Sequence, residues 1–247
     1  MKKRKKQLRR HVVFVVIFAV ILGIVIWPAD DAVDRGIAYV KGQEQKSTTA
    51  ISKKLTKKRS QELNDAYKEG KINVYSFFTD YAFFGDSRVV GFSNMGVLDR
   101  ARVMAGAGHT VKNITDWKKQ IKGLRPSHLY FSYGVNDMGL DIDGQYNGYD
   151  RYYASQIKQI LKYCPDGTTV TVCSIIPATA AAAAKSPAWN QVDKYNAKIK
   201  KMCKENAWTY VDNTEICDDG QADIYEADGV HFHASFYPVW AKNILGL

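Results

Sequence analysis

The chain has 247 residues, 35 Lys+Arg against 25 Asp+Glu, and four cysteines, enough for one substantial domain plus a tail. Its formal charge of +10 points towards nucleic acid until it is mapped: residues 1–60 hold 15 basic and 4 acidic residues, and the other 187 hold 20 and 21. The globular part is close to neutral, which argues against nucleic acid as a partner.

The N-terminus reads as a membrane signal. Lys2, Lys3, Arg4, Lys5, Lys6, Arg9 and Arg10 precede an uncharged apolar run of 16 residues, Val12 to Trp27. That run is slightly short for a span, but His11, Pro28 and Trp27 can sit in the interface. The reading is a cytoplasmic basic tail over residues 1–10 and a transmembrane anchor over 11–28. The rival is a cleaved signal peptide; against it, Asp30-Asp31 follows where a small-x-small cleavage site is needed. Under either reading the positive flank stays in the cytoplasm and the rest lies outside. The predicted location is a single-pass protein of the cell membrane with an extracellular C-terminal domain and membrane lipid as a partner.

Residues 29–71 are polar and rich in Lys, Gln, Ser and Thr, which predicts a stalk, partly helical near Ser60–Glu69. Its lysines could rest on anionic lipid or wall polymer; a solvated spacer is the preferred reading. From residue 72 to 247 the pattern becomes that of a folded domain. Short apolar runs at Tyr81–Phe84, Ala101–Ala105, His128–Tyr133, Val170–Ile176 and Trp208–Val211 read as strands. Helical spacing fills Tyr149–Tyr163, Ala188–Cys203 and Ser235–Leu247. Strands alternating with helices predict an α/β domain with a mainly parallel sheet, with its site at the carboxyl ends of strands. The run Ala178–Ala184 is either a short helix or a flap. Cys164, Cys173, Cys203 and Cys217 are even in number and in the exported part, so disulfides are allowed; Cys173, in an apolar run, equally suits a buried thiol. The lack of a CxxC pair argues against a zinc site, and no metal is expected.

Three segments carry the chemistry: Gly85-Asp86-Ser87, Gly134-Val135-Asn136-Asp137 and Asp228-Gly229-Val230-His231. Ser87 follows a strand and a glycine, so a tight turn can present its hydroxyl; the bland reading is that Asp86 or Ser87 only caps a helix. A serine hydroxyl needs a base within hydrogen-bond reach, and the base needs an orienting carboxylate. Asp228 and His231, three residues apart in one loop, supply both, with His233 as the rival base and His109 as a residue that could line the site. Asn136 offers a side-chain amide to an oxyanion; its bland reading is an Asx-turn. A backbone N–H at Gly106 or Gly108 competes for the remaining donor position, with Gly108 favoured.

Together these segments resemble the blocks of the SGNH (GDSL-like) hydrolase superfamily, in a membrane-anchored bacterial branch. Gly85-Asp86-Ser87 is similar to its first block, Gly106/Gly108 to its second, Gly134-x-Asn136-Asp137 to its third and Asp228-x-x-His231 to its fifth. The likeness covers about Val74 to Leu247, although the second block departs from the usual form. It implies a three-layer α/β/α, flavodoxin-like fold, a Ser87–His231–Asp228 triad, an oxyanion hole from Ser87, Gly108 and Asn136, and no cofactor. Asp86, Arg88 and Asp137 are candidates for substrate contact; for Arg88 the preferred alternative is pairing with a nearby carboxylate. The expected activity is an extracytoplasmic serine esterase, with an acylated glycan bearing O-acetyl groups as the favoured substrate. An O-acetyltransferase using the same triad is the alternative; having one span, it would need a separate acyl-donating membrane protein. A non-catalytic glycan-binding module is the reading from another class.

Overall fold

The computed structural model describes residues 11–20, 31–44, 48–214, 216–217 and 224–247. The chain forms two compact units, Met1–Asn64 and Asp65–Leu247. In the first, residues 11–20 are helical (α1), followed by α2 (Asp31–Glu44) and α3 (Thr48–Lys68), whose last turn enters the second unit. Among the described residues no helix is long and apolar enough to cross a membrane; residues 1–10 and 21–28, the basic tail and the rest of the expected anchor, lie outside them. The stalk is far more helical than the segment near Ser60–Glu69 that its polarity suggested. From Thr48 to Lys68 it holds no Gly or Pro, and its five lysines, two alanines and two leucines lose little on entering a helix.

The second unit is built on a five-stranded parallel sheet in the order β2-β1-β3-β4-β5. Its strands are β1 (Tyr81–Gly85), β2 (Val103–Ala105), β3 (His128–Ser132), β4 (Thr169–Cys173) and β5 (Thr209–Val211). This 2-1-3-4-5 order is the flavodoxin-like one, in which the chain reverses direction of travel between β1 and β3. All five residues of β1 are buried, as expected of a central parallel strand covered on both faces. Ala82 and Phe84 face one core, with Ile121 of α5 (Lys118–Leu124), Ile157 of α8 (Tyr149–Leu161) and Ile199 of α10 (Val192–Asn206), the short helices α6 (Val135–Gly139) and α7 (Ile142–Gln145) leading from β3 to α8. Tyr81 and Phe83 face the other, with Phe92 of α4 (Ser87–Asn94) and Trp240 of α11 (Tyr237–Leu245). The result is the expected three layers, helix, sheet and helix.

Several boundaries differ from the sequence reading. Residues 100–102 make a 3-10 turn before β2, capped by Asp99 accepting from the Ala101 N–H. The fourth strand ends at Cys173: the Ser174 N–H still reaches the Val211 carbonyl of β5 at 2.8 Å, and Ile175 then turns to α10. Asn196 of α10 takes the Ile175 N–H at 2.7 Å and returns a bond to its carbonyl at 3.1 Å. The alanine run is a short helix, α9 (Ala180–Lys185), started by Thr179 Oγ1 accepting from the Ala182 N–H. Cys164, Cys173 and Cys203 are free thiols, and Cys217 Sγ donates to the Asn213 carbonyl.

Candidate active site

Register sets the site. Gly85, the last residue of β1, pairs with Ala105 of β2 and Ser132 of β3, so three strands end level. The segments that follow them, from Asp86, Gly106 and Tyr133, leave the sheet along one edge at the switch point between β1 and β3, where folds of this order place their ligands. Gly85 is required by space: a Cβ there would stand 2.2 Å from Val89 Cγ2 and 2.8 Å from the Ser132 carbonyl. Asp86 then caps α4, its Oδ1 accepting the Arg88 N–H at 2.9 Å. The capping role foreseen as the bland reading is real, and it belongs to Asp86. It leaves Ser87 as the first helical residue, at the positive end of α4.

Ser87 Oγ lies 2.8 Å from His231 Nε2, and His231 Nδ1 lies 2.5 Å from Asp228 Oδ2. The two partners of the histidine are local and distant by turns: Asp228 is three residues away and Ser87 is 144. Asp228 Oδ1 also accepts the N–H groups of Val230 and His231, at 2.8 and 2.9 Å. Partial burial pushes this carboxyl up, but the hydrogen bonds from the His231 ring and from these two N–H groups outweigh it and hold the group down at about 2. An ionised Asp228 accepts only, so Nδ1 carries the proton and Nε2 presents its lone pair to Ser87. The loop can make this return because Gly229 sits at φ +71°, and a Cβ there would stand 2.2 Å from Thr179 Oγ1. His233, the rival base, has its own acid: its Nδ1 lies 3.0 Å from Glu226 Oε1.

The oxyanion candidates also meet. Asn136 Nδ2 donates to the His109 carbonyl at 3.0 Å, joining the Gly106–His109 turn to the loop after β3 and leaving one amide hydrogen uncommitted. Gly134 holds φ +148° against Ile175, whose Cδ1 would be 2.2 Å from a Cβ at that position. Gly108 has φ +72°, a conformation that favours glycine, with open space around it, whereas a Cβ at Gly106 would meet the His109 ring at 2.5 Å. His109 stays in the turn, its ring 6.3 Å from that of Trp117.

Three residues expected to touch substrate are instead interior. Asp86, Arg88 and Asp137 are 3%, 4% and 0% exposed. Burial raises the Asp86 carboxyl, and it drives Asp137 up to about 8 despite the hydrogen bond that Asp137 Oδ1 accepts from the Val111 N–H at 3.0 Å. Asp137 thus fastens the residues after the Gly106–His109 turn to the Asn136 loop with a carboxyl that is neutral at pH 7. Arg88 donates to three backbone carbonyls, stacks over Phe232 and interacts by charge with the buried Asp86 carboxyl two residues before it. Nothing local in the sequence marks these roles; the partners of Arg88 are 88 to 142 residues away. The Asn196 bracket under Ile175 was missed for the same reason. Among the described residues, no group of three or more His, Cys, Asp or Glu side chains could hold a metal ion.

The model of the GDSL-like Lipase/Acylhydrolase family matches residues 83–238, a span that includes all three motifs. No curated protein matches the chain by sequence. Among solved structures, the chain is similar to the lipase/acylhydrolase from Enterococcus faecalis, with 15% identity, a TM-score of 0.51, and coverage of 68% of this chain and 94% of that one. A candidate acylhydrolase from Bacteroides fragilis gives 18% identity, a TM-score of 0.51, and coverage of 67% and 84%. A candidate platelet activating factor from Streptococcus pneumonia gives 12%, 0.53, and 81% and 99%. At these identities the likeness is one of fold.

Proposed function

The chain belongs to the GDSL-like lipase/acylhydrolase family and is an ester-hydrolysing enzyme; we propose that it removes O-acetyl groups from cell-wall or surface carbohydrate through a Ser87–His231–Asp228 triad. The observation that carries this reading is the continuous chain from Ser87 Oγ through both His231 nitrogens to Asp228, at 2.8 and 2.5 Å. His231 Nε2 takes the hydroxyl proton as Ser87 Oγ attacks the ester carbonyl, and ionised Asp228 stabilises the imidazolium that forms. The oxyanion of the tetrahedral intermediate is met by Asn136 Nδ2 and by the N–H groups of Ser87 and Gly108, at the positive end of α4. Collapse returns the proton to the leaving alkoxide, giving an acetyl-enzyme and the sugar hydroxyl. Water, activated by the same Nε2, then releases acetate.

Two features support a large, surface-borne alcohol. The side chains of His231 and Asp228 are 44% and 49% exposed, so the base sits on an open surface that a polymer can approach. The basic and apolar N-terminal sequence supports an anchor that would hold the domain outside the cell, against wall glycans.

The test uses the full chain in detergent with p-nitrophenyl acetate, butyrate and octanoate, then acetylated oligosaccharides, with Ser87→Ala as control. The expected result is Ser87-dependent acetate release that falls with acyl length and extends to the glycans. Faster octanoate than acetate turnover would overturn the deacetylase reading.

A further inference from the structure

The proposed chemistry requires Ser87 and His231 to stay within hydrogen-bond reach from two separately supported segments. The base loop is braced within itself: the Glu226 N–H donates to the His231 carbonyl at 2.8 Å, and the His233 N–H to the Ile224 carbonyl at 2.9 Å. It is fastened to α9 by the Thr179 N–H donating to the Gly229 carbonyl at 2.9 Å. None of these bonds reaches the helix that carries the nucleophile.

Arg88 does reach across. Its Nε donates to the carbonyl of Val230, the residue before His231, at 2.9 Å. Its two terminal nitrogens donate to the Ile176 and Pro177 carbonyls beyond β4, and the guanidinium carbon lies 4.7 Å from the centroid of the Phe232 ring, the residue after His231. Tyr237 Oη in turn donates to the Arg88 carbonyl at 2.9 Å, fixing the backbone from which the side chain springs. All three acceptors are uncharged carbonyls. The nearest compensating charge is the buried Asp86 carboxyl, whose Oδ1 accepts the Arg88 backbone N–H, and a planar fork of donors is what the three acceptors require. The side chain therefore grips both neighbours of the base, one by hydrogen bond and one by its ring, from the residue adjoining the nucleophile.

We propose that Arg88 is a positioning residue that sets the Ser87–His231 geometry by tying the first turn of α4 to the loop on either side of His231. It touches no substrate and acts through the histidine, so the proposal rests on the triad reading. A lysine keeps the charge but cannot span Val230, Ile176 and Pro177 together; a methionine keeps the volume and loses every donor.

The experiment compares wild type, Arg88→Lys and Arg88→Met by p-nitrophenyl acetate kinetics and by amide hydrogen exchange resolved to segments. In Arg88→Lys, kcat should fall about 100-fold with KM nearly unchanged, the signature of a misplaced reacting pair. Exchange should quicken at residues 228–233 while α8 keeps its protection. Wild-type kcat per folded molecule in Arg88→Lys would overturn the proposal, as would loss of protection spread evenly over the domain. If Arg88→Met does not fold, Arg88→Lys decides. If the wild type shows no Ser87-dependent turnover, the triad reading fails separately, and exchange judges the tie: quickening confined to 228–233 supports it, and unchanged protection there refutes it.

Discussion

Asp137→Asn should make this protein more stable at neutral and alkaline pH. Asp137 is fully buried, and burial lifts its carboxyl from an ordinary 3.8 to about 8. Between those values the folded protein binds a proton that the unfolded chain has released. The stability contributed by the neutral acid is therefore fully present below about pH 4 and is lost as pH rises through about 8. The slope is about 1.4 kcal/mol per pH unit, and across the whole window the loss is of order 5 kcal/mol. Asparagine preserves the acceptor for the Val111 N–H and cannot ionise. The assay is urea unfolding of both proteins at pH 4.5, 6, 7.5 and 9. The advantage of the variant should be small at pH 4.5, grow steadily and level off above pH 8. Asp86, also raised by burial, adds a slope of its own, and because its charge acts on Asp137 the two carboxyls titrate as neighbours in the wild type and Asp86 titrates alone in the variant. A difference that stays flat with pH would refute the reasoning, because Asp137 would then be ionised equally in both states.

Asp228→Asn reverses the polarity of the His231 Nδ1 contact, so that Nε2 tends to carry the proton; kcat should fall by about 10³–10⁴ with the fold intact by circular dichroism. Because Asp228 is held at about 2, it stays ionised through the usual assay range. The acidic limb of the wild-type pH–rate profile should therefore not arise from Asp228. Asn136→Ala removes one oxyanion donor and the bond to the His109 carbonyl; kcat should drop about 10²–10³, with much less effect on KM for the acetate ester. Trp240 is 1% exposed and its ring lies 5.1 Å from that of Phe92, so Trp240→Ala should cost about 3–5 kcal/mol in chemical unfolding through the α4–α11 core.

The parts of the site that the sequence made legible are those held by short-range geometry. Asp228 and His231 lie in one turn, and Gly85-Asp86-Ser87 is a strand end followed by a cap. Each suggests a role from its spacing beside a blander one, helix capping for Asp86 or Ser87, and choosing between them and pairing Ser87 with His231 needed the whole set of motifs. The alternation of apolar runs likewise gave the parallel sheet and its flanking helices. What stayed hidden depends on contacts far apart in sequence. Arg88 reads in sequence as a substrate contact or a partner of a nearby carboxylate because its carbonyl acceptors arrive from Ile176, Pro177 and Val230. Asp137 reads in sequence as a candidate for substrate contact because its burial comes from packing after Val111 is brought over it. The stalk was underestimated for a different reason: helix propensity without an apolar stripe leaves little periodic signal, yet Thr48–Lys68 is one helix.

The central claim is that Ser87 is made nucleophilic by His231. Its most direct test is stoichiometric labelling with a fluorophosphonate, followed by intact mass and peptide mapping of wild type, Ser87→Ala and His231→Ala. The account predicts one adduct per chain on Ser87, none in Ser87→Ala, and labelling slowed by at least about 10³ in His231→Ala. An adduct on another residue, or labelling of Ser87 at an undiminished rate without His231, would contradict it.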